Sequence, residues 1–245
     1  MMTKVFTIAK RELASYFGTP IAYVFLVVFV ILSGVVTFHL GNFFDRGSAN
    51  LSAFFNYLPW LLLVFIPAVS MRLWAEERKS GTVELLMTLP IAPWQAVTGK
   101  WLASVGFIAV ALVATFPLWL TVNYLGEPDN GVIMTSYLGS LALAAVLLAM
   151  GSCVSAFTKN QVIAFVLAVA LSFVIVTSGT PIVLDAVRVV FPQPIVDVVA
   201  AMSALTHFTG TGQGFVALSS VLYAVSMIVF WLFATVIVLS NTKAD

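Results

Sequence analysis

Residues 21–40 read IAYVFLVVFVILSGVVTFHL, twenty positions without an Asp, Glu, Lys or Arg. A helix of about 20 apolar residues is what crossing the hydrocarbon of a bilayer requires. The run is too long for the apolar core of a cleavable signal, and no A-x-A-like site follows it. Working outward, five more runs meet the same length: about 54–73, 94–122, 134–157, 162–178 and 215–240. The third is long enough to require tilt or a start outside the lipid. Gly34, Pro67 and Pro117 lie inside these runs, but Gly and Pro are tolerated in membrane helices. The reading is an all-α membrane protein with six transmembrane helices.

Composition supports this. Of 245 residues, 61% are hydrophobic and 9% charged, and the mean hydropathy is +1.08. Soluble domains carry about 25% charged residues. So few charges cannot cover a water-facing surface, and no stretch is polar enough to be a separate soluble domain. The net charge of +1 gives no reason to expect a nucleic-acid partner. The single cysteine, Cys153, excludes a disulfide within the chain.

Orientation follows from the basic residues. Lys4, Lys10, Arg11, Arg72, Arg78, Lys79, Lys100, Lys159 and Lys243 fall on one side of the six-span layout, and Arg46 and Arg188 on the other. The first side is read as cytoplasmic, with both termini inside.

Three pieces do not span. Residues 3–19 place Val5, Ile8, Ala9, Leu13, Tyr16 and Phe17 on one helical face, and Lys4, Arg11, Glu12 and Ser15 mostly elsewhere. That pattern is an interfacial amphipathic helix, ended near Gly18 and Pro20. Residues 74–93, WAEERKSGTVELLMTLPIAP, form the longest connection on the basic side. Gly81 suits the position just past a helix that emerges from the second span. Thr82 suits the N-cap of a short helix over Val83–Leu89, with Glu84 in its first turn, where the dipole favours a carboxylate. Pro90 ends that helix and Pro93 can start the next span. Leu85, Leu86 and Leu89 on a helix in water call for a covering partner. Glu76, Glu77, Arg78 and Lys79 just before it would orient the contact.

Residues 179–214 carry the third piece. Breakers at Gly179, Pro181, Pro192, Pro194, Gly210, Gly212 and Gly214 leave two short apolar stretches, Ile182–Phe191 and Ile195–Leu205. Both are too short to cross. They are read as helices that re-enter the outer leaflet or lie on it. Asp185 and Arg188, three apart, can pair on one face. With Asp197 they are the charged residues of a candidate outer gate.

Reactive chemistry is missing from the pattern. There is no H-E-x-x-H, no G-x-S-x-G, and no G-x-x-x-x-G-K-[ST]; Gly99-Lys100 is followed by Trp101. Every Asp, Glu, Lys and Arg is placed in a connection or near a span end, so coupling to protons or sodium through a midplane carboxylate is unsupported. Ala145, Ala149 and Cys153 recur every fourth residue, with Ser140 and Ala144 nearby, which permits close helix contact within the chain or between chains. No catalytic residue, cofactor site or metal site is assigned. An exposed docking helix without an energy source points to energy supplied by another protein.

The run Glu76-Glu77-Arg78-Lys79-Ser80-Gly81-Thr82-Val83-Glu84-Leu85-Leu86, then Thr88-Leu89-Pro90, resembles the cytoplasmic loop of permease subunits of type-2 ABC transporters. Arg11-Glu12-Leu13-Ala14-Ser15-Tyr16-Phe17, Thr19-Pro20-Ile21-Ala22-Tyr23, Leu58-Pro59-Trp60, Met71-Arg72-Leu73 and Thr158-Lys159-Asn160-Gln161 are similar to the gliding-motility-type branch of that family. The resemblance implies a single permease domain over 1–245. It implies an elbow helix at 3–19, a coupling helix within 74–93 and re-entrant helices in 179–214. It implies as partners a dimer of ABC ATPase subunits that bind ATP and magnesium, and a second permease half, identical or related. A membrane-anchored auxiliary subunit with an extracytoplasmic domain often accompanies this branch. The expected function is half of an export pore in a bacterial inner membrane, driven from Val83–Leu89. A non-transporting scaffold or mechanotransmitting subunit, and an ATP-independent channel, are the competing classes.

Overall fold

The computed structural model describes residues 2–44, 47, 49–83 and 91–241. Among these the chain is helical throughout, with no strand. Helix α1 is Met2–Phe17, and α2 is Pro20–Val35, continued by a π-helical turn over Val36–Leu40. Then come α3 Ser52–Ser70 and α4 Arg72–Ser80. Next are α5 Pro93–Ala114, α6 Phe116–Leu125 and α7 Asn130–Phe157. They are followed by α8 Gln161–Thr177, α9 Pro181–Val190, α10 Gln193–Ala201, α11 Ala204–Thr211 and α12 Leu218–Asn241.

Five helical stretches are long and apolar enough to cross a membrane: Pro20–Leu40, Ser52–Ser80, Pro93–Leu125, Asn130–Phe157 and Leu218–Asn241. The sixth candidate is α8 with α9, which meet at a bend of 83°. The 17 residues of α8 extend about 26 Å at 1.5 Å per residue. That is at the lower end of the about 17–25 residues that a crossing uses. The bent pair brings the candidate crossings to six, the sixth made by a short helix and a sharp turn.

Local chemistry sets the ends. Asp129 accepts from the backbone N–H groups of Gly131 (2.9 Å) and Val132 (3.1 Å) and opens α7. Asn160 does the same for α8, accepting from Val162 N–H at 2.9 Å. These side chains satisfy donors that a helix start leaves without a partner. Pro117 stands at the start of α6 and divides the long third span at Thr115, whose hydroxyl donates back to Leu112 O at 2.6 Å.

Helix α7 is the centre of the bundle. It packs on α3, α4, α5, α8, α11 and α12, and is buried continuously from Leu143 to Ala156. The small residues on it serve contacts inside this chain: Ser140, Ala144, Ala145, Ala149 and Cys153 are all buried here. Gly151 marks the closest approach, since a Cβ there would lie 2.1 Å from Ser70 Oγ. Leu58, Leu62 and Ile66 of α3 and Leu147, Leu148 and Met150 of α7 are fully enclosed and form the main core.

The outer segment holds three short helices where two apolar stretches were expected. The third, α11, was hidden by the threonines at 206, 209 and 211. The structure satisfies their polarity locally: Thr209 donates to Thr206 O (3.0 Å) and Thr211 to Phe208 O (2.7 Å). Ser203 starts α11 and also donates to Val176 O of α8 at 3.2 Å, while Ala204 and Phe208 are buried in the core.

Candidate coupling site

The connection between the second and third spans leaves the bundle as a clamped stem. Pro67 stands inside α3, and the helix breaks at Met71 before restarting as α4. The first N–H groups of a restarted helix need outside partners. Ser155 of α7 supplies one: its hydroxyl oxygen accepts from Trp74 N–H and Ala75 N–H, both at 3.1 Å, and donates to Met71 O at 2.9 Å. Trp74 is fully buried, and its indole N–H donates to Ser152 Oγ at 3.0 Å. Arg78 donates to the carbonyl of Ala156. The direction of α4 is thus set by the last turns of α7.

Helix α4 ends at Ser80, and Gly81 has φ +73°, the left-handed conformation that glycine adopts without a Cβ penalty. Ser80 Oγ lies 2.9 Å from Thr82 Oγ1 and 3.0 Å from Glu76 O, closing the turn. Thr82 and Val83 are helical in backbone. Val83 is buried in a cluster with Leu73, Trp74, Ala96 and Val97. Glu84, Leu85, Leu86, Leu89 and Pro90 lie outside the described residues. The chain returns at Pro93, the first residue of α5, where Gln95 Oε1 accepts from Ala92 N–H at 3.1 Å.

The charged residues of the stem divide by face. Glu76 and Lys79 are exposed, and Glu76 pairs with Arg72 at 3.3 Å on the surface. Glu77 points inward, to Lys100, a residue without an assigned role until the fold is known. Lys100 on α5 has a side chain only 5% exposed. Its Nζ lies 2.7 Å from Glu77 Oε1 and 3.2 Å from Glu12 Oε2, and 5.3 Å from the centre of the Trp74 ring. Glu12 also receives Arg11 at 3.0 Å on its other oxygen. Burial pushes the Glu12 carboxyl up, but Lys100 and Arg11 outweigh it and hold the group below its ordinary value.

Glu12 arrives there because α1 docks on α5. Gly99 makes room for it, since a Cβ at Gly99 would lie 2.7 Å from Ile8 Cγ2. Farther along, Tyr16 hydrogen-bonds Ser104 Oγ at 3.0 Å and stacks on Phe107 at 5.2 Å. The apolar stripe read from residues 3–19 therefore finds a protein neighbour: Val5 and Ile8 are buried, while Phe6 stays exposed.

The predicted outer-gate residues are not part of this cluster. Arg188 pairs with Asp185 at 3.1 Å on an exposed face of α9. Asp197 on α10 instead accepts from Gln193 Nε2 at 2.9 Å.

The structure thus assembles Glu12, Trp74, Glu77, Lys100 and Ser155, of which only Glu77 had been singled out. One signal was present in the sequence. Lys100 is the only ionisable Asp, Glu, Lys or Arg in the apolar run 94–122, and a charge inside such a run needs a partner. The cluster holds ion pairs, hydrogen bonds and an indole, an arrangement suited to fixing helices against one another.

The family model described as ABC-2 family transporter protein matches residues 6–241 of the 245. No curated protein matches the chain. The match takes in most of α1, the clamped stem, Lys100 and the rest of the helical bundle, and the chain belongs to the ABC-2 family of transporter membrane proteins.

Proposed function

We propose that this chain is the membrane-spanning subunit of an ABC exporter, one half of a pore whose second half is an identical or related permease. It belongs, on this reading, to the gliding-motility-type branch and sits in a bacterial inner membrane with both termini cytoplasmic. A separate ATPase dimer, which binds ATP and magnesium, seats on the Val83–Leu89 segment. Closure of that dimer drives α4 and α5, and through them access between the two halves. Asp185, Arg188 and Asp197 border the outer gate, and a membrane-anchored auxiliary subunit completes the assembly there.

One observation carries the reading. The segment after Gly81 is presented by a stem locked to the bundle at Trp74, Ala75 and Arg78, so that force on the segment reaches α7, and α5 through the Glu77–Lys100 pair. A solvated loop has no need of such anchoring.

The test is ATP hydrolysis by the complex that co-purifies with this chain, reconstituted in liposomes. Glu84→Ala and Leu86→Asp are expected to abolish stimulation of the ATPase by the permease. Stoichiometric complexes that keep full stimulation in both variants would refute the docking assignment. Absence of any ATPase from the purified wild-type complex would favour the scaffold class.

A further inference from the structure

Lys100 offers one ammonium to two carboxylates that belong to different packing blocks. Glu12 is carried by α1, which packs on α5 and α2; Glu77 is carried by α4, which packs on α7, α8 and α3. The two carboxylates are not equally held. Glu12 has a cation on each oxygen, Arg11 on Oε1 and Lys100 on Oε2. Glu77 has Lys100 on Oε1, while its Oε2 is buried without a hydrogen-bond partner.

The asymmetry matters because a buried charge cannot be stranded cheaply. If Glu77 were the only partner of Lys100, moving α4 would leave an uncompensated ammonium buried on α5. With Glu12 in place, Glu77 can leave and Lys100 stays neutralised. Glu77, with one carboxylate oxygen buried and unpartnered, is the half-satisfied member.

We propose that Glu12, Lys100 and Glu77 form a charge latch for α4: Lys100–Glu77 is the link that opens when the stem moves, and Lys100–Glu12 is the link that makes the opening possible. Glu12 is thus a positioning residue for the coupling loop, although it lies on a different helix and is 65 residues away in sequence. This rests on the reading of the loop given above and adds a residue set to it.

The expected behaviour separates a latch from a staple. Glu12→Gln removes the reserve partner, so Lys100 grips Glu77 and the stem is locked. Stimulation of the co-purified ATPase is then expected to fall about fivefold or more, and Lys100→Arg, which keeps the charge, to retain it. The triple variant Glu12→Gln/Glu77→Gln/Lys100→Met has nothing to lock and strands no charge, and stimulation recovers relative to Glu12→Gln alone. A staple predicts no recovery, with the triple variant no better than Glu12→Gln.

Full stimulation in Glu12→Gln, or no recovery in the triple variant, would overturn the latch. If Glu12→Gln does not assemble, Glu77→Gln decides through spin labels at Thr7→Cys and Thr98→Cys. The latch requires α1 to keep its wild-type distance from α5 in that variant, and undocking of α1 would refute it. Loop variants Glu84→Ala and Leu86→Asp, run in parallel, keep the two claims apart. Retained coupling in those variants sinks the reading of the loop, and with it the latch. Uncoupling there with an unaffected Glu12→Gln sinks the latch alone.

Discussion

Ser155 shows how much one hydroxyl can decide. Its oxygen serves Trp74 N–H, Ala75 N–H and Met71 O at once, at the point where α3 breaks and α4 begins. Removing it leaves two buried N–H donors without a partner, and each such group costs about 1–3 kcal/mol. Ser155→Ala should lower the thermal unfolding midpoint of the purified chain in detergent micelles and loosen the stem. The control is Glu76→Ala, which breaks only the exposed Arg72–Glu76 pair and should cost no more than about 0.5 kcal/mol. Equal midpoints for Ser155→Ala and wild type would contradict the capping role. No periodicity points to Ser155, because a serine near the end of a predicted helix looks the same whether it faces lipid or a broken neighbour. Lys100 was legible as an oddity, a lysine in an apolar run, but its two partners were not. Glu12 lies 88 positions before it, and only the fold brings them within 3.2 Å.

At the scale of elements, the placement of α1 is sensitive to pH. The Glu12 carboxyl in the folded chain titrates below its ordinary value, so it binds fewer protons folded than unfolded. Its contribution to docking is therefore complete above the unfolded value of roughly 4.3. That contribution is lost as the pH falls through the lower, folded value. Spin labels at Thr7→Cys on α1 and Thr98→Cys on α5 should report one short distance at neutral pH and a second, longer population as the pH falls below the ordinary carboxylate range. The native Cys153 is buried and does not interfere. Glu12→Gln should remove the pH dependence in that window, and an unchanged titration in that variant would assign the effect to another group. The amphipathic pattern of residues 3–19 gave α1 as a helix with an apolar stripe. It did not say what covers the stripe, since lipid and α5 reward burial of Val5 and Ile8 alike. Gly99 and Gly106 on α5, both facing α1, were the only local hints.

For the whole molecule, the distribution of basic residues predicts that the ends of the bundle lie on opposite sides of the membrane. Ser48→Cys and Ser80→Cys, made singly, should react with a membrane-impermeant maleimide from opposite sides, Ser80→Cys from the cytoplasm. Reaction of both from the same side would overturn the orientation. The crossing count has a similar status. Six apolar runs were legible by length, and five became long helices. The run at 162–178 became the 17-residue α8, bent 83° into α9, because Gly179 and Pro181 follow it and α11 folds back beside its end.

Composition and local pattern by themselves determined that this chain is helical and membrane-embedded, where its main breaks fall, and that a stem ending at Gly81 stands on the basic side. Helix periodicity, apolar length, proline and glycine act within a few residues of where they are written, so they survive without knowledge of the fold. Tertiary structure alone decided which face of α1 is covered, that the small residues of α7 are spent inside the chain, and that one buried lysine answers to two carboxylates. Those outcomes depend on pairing between distant segments, and burial of an apolar or charged group is encoded locally only as a need, never as the neighbour that meets it.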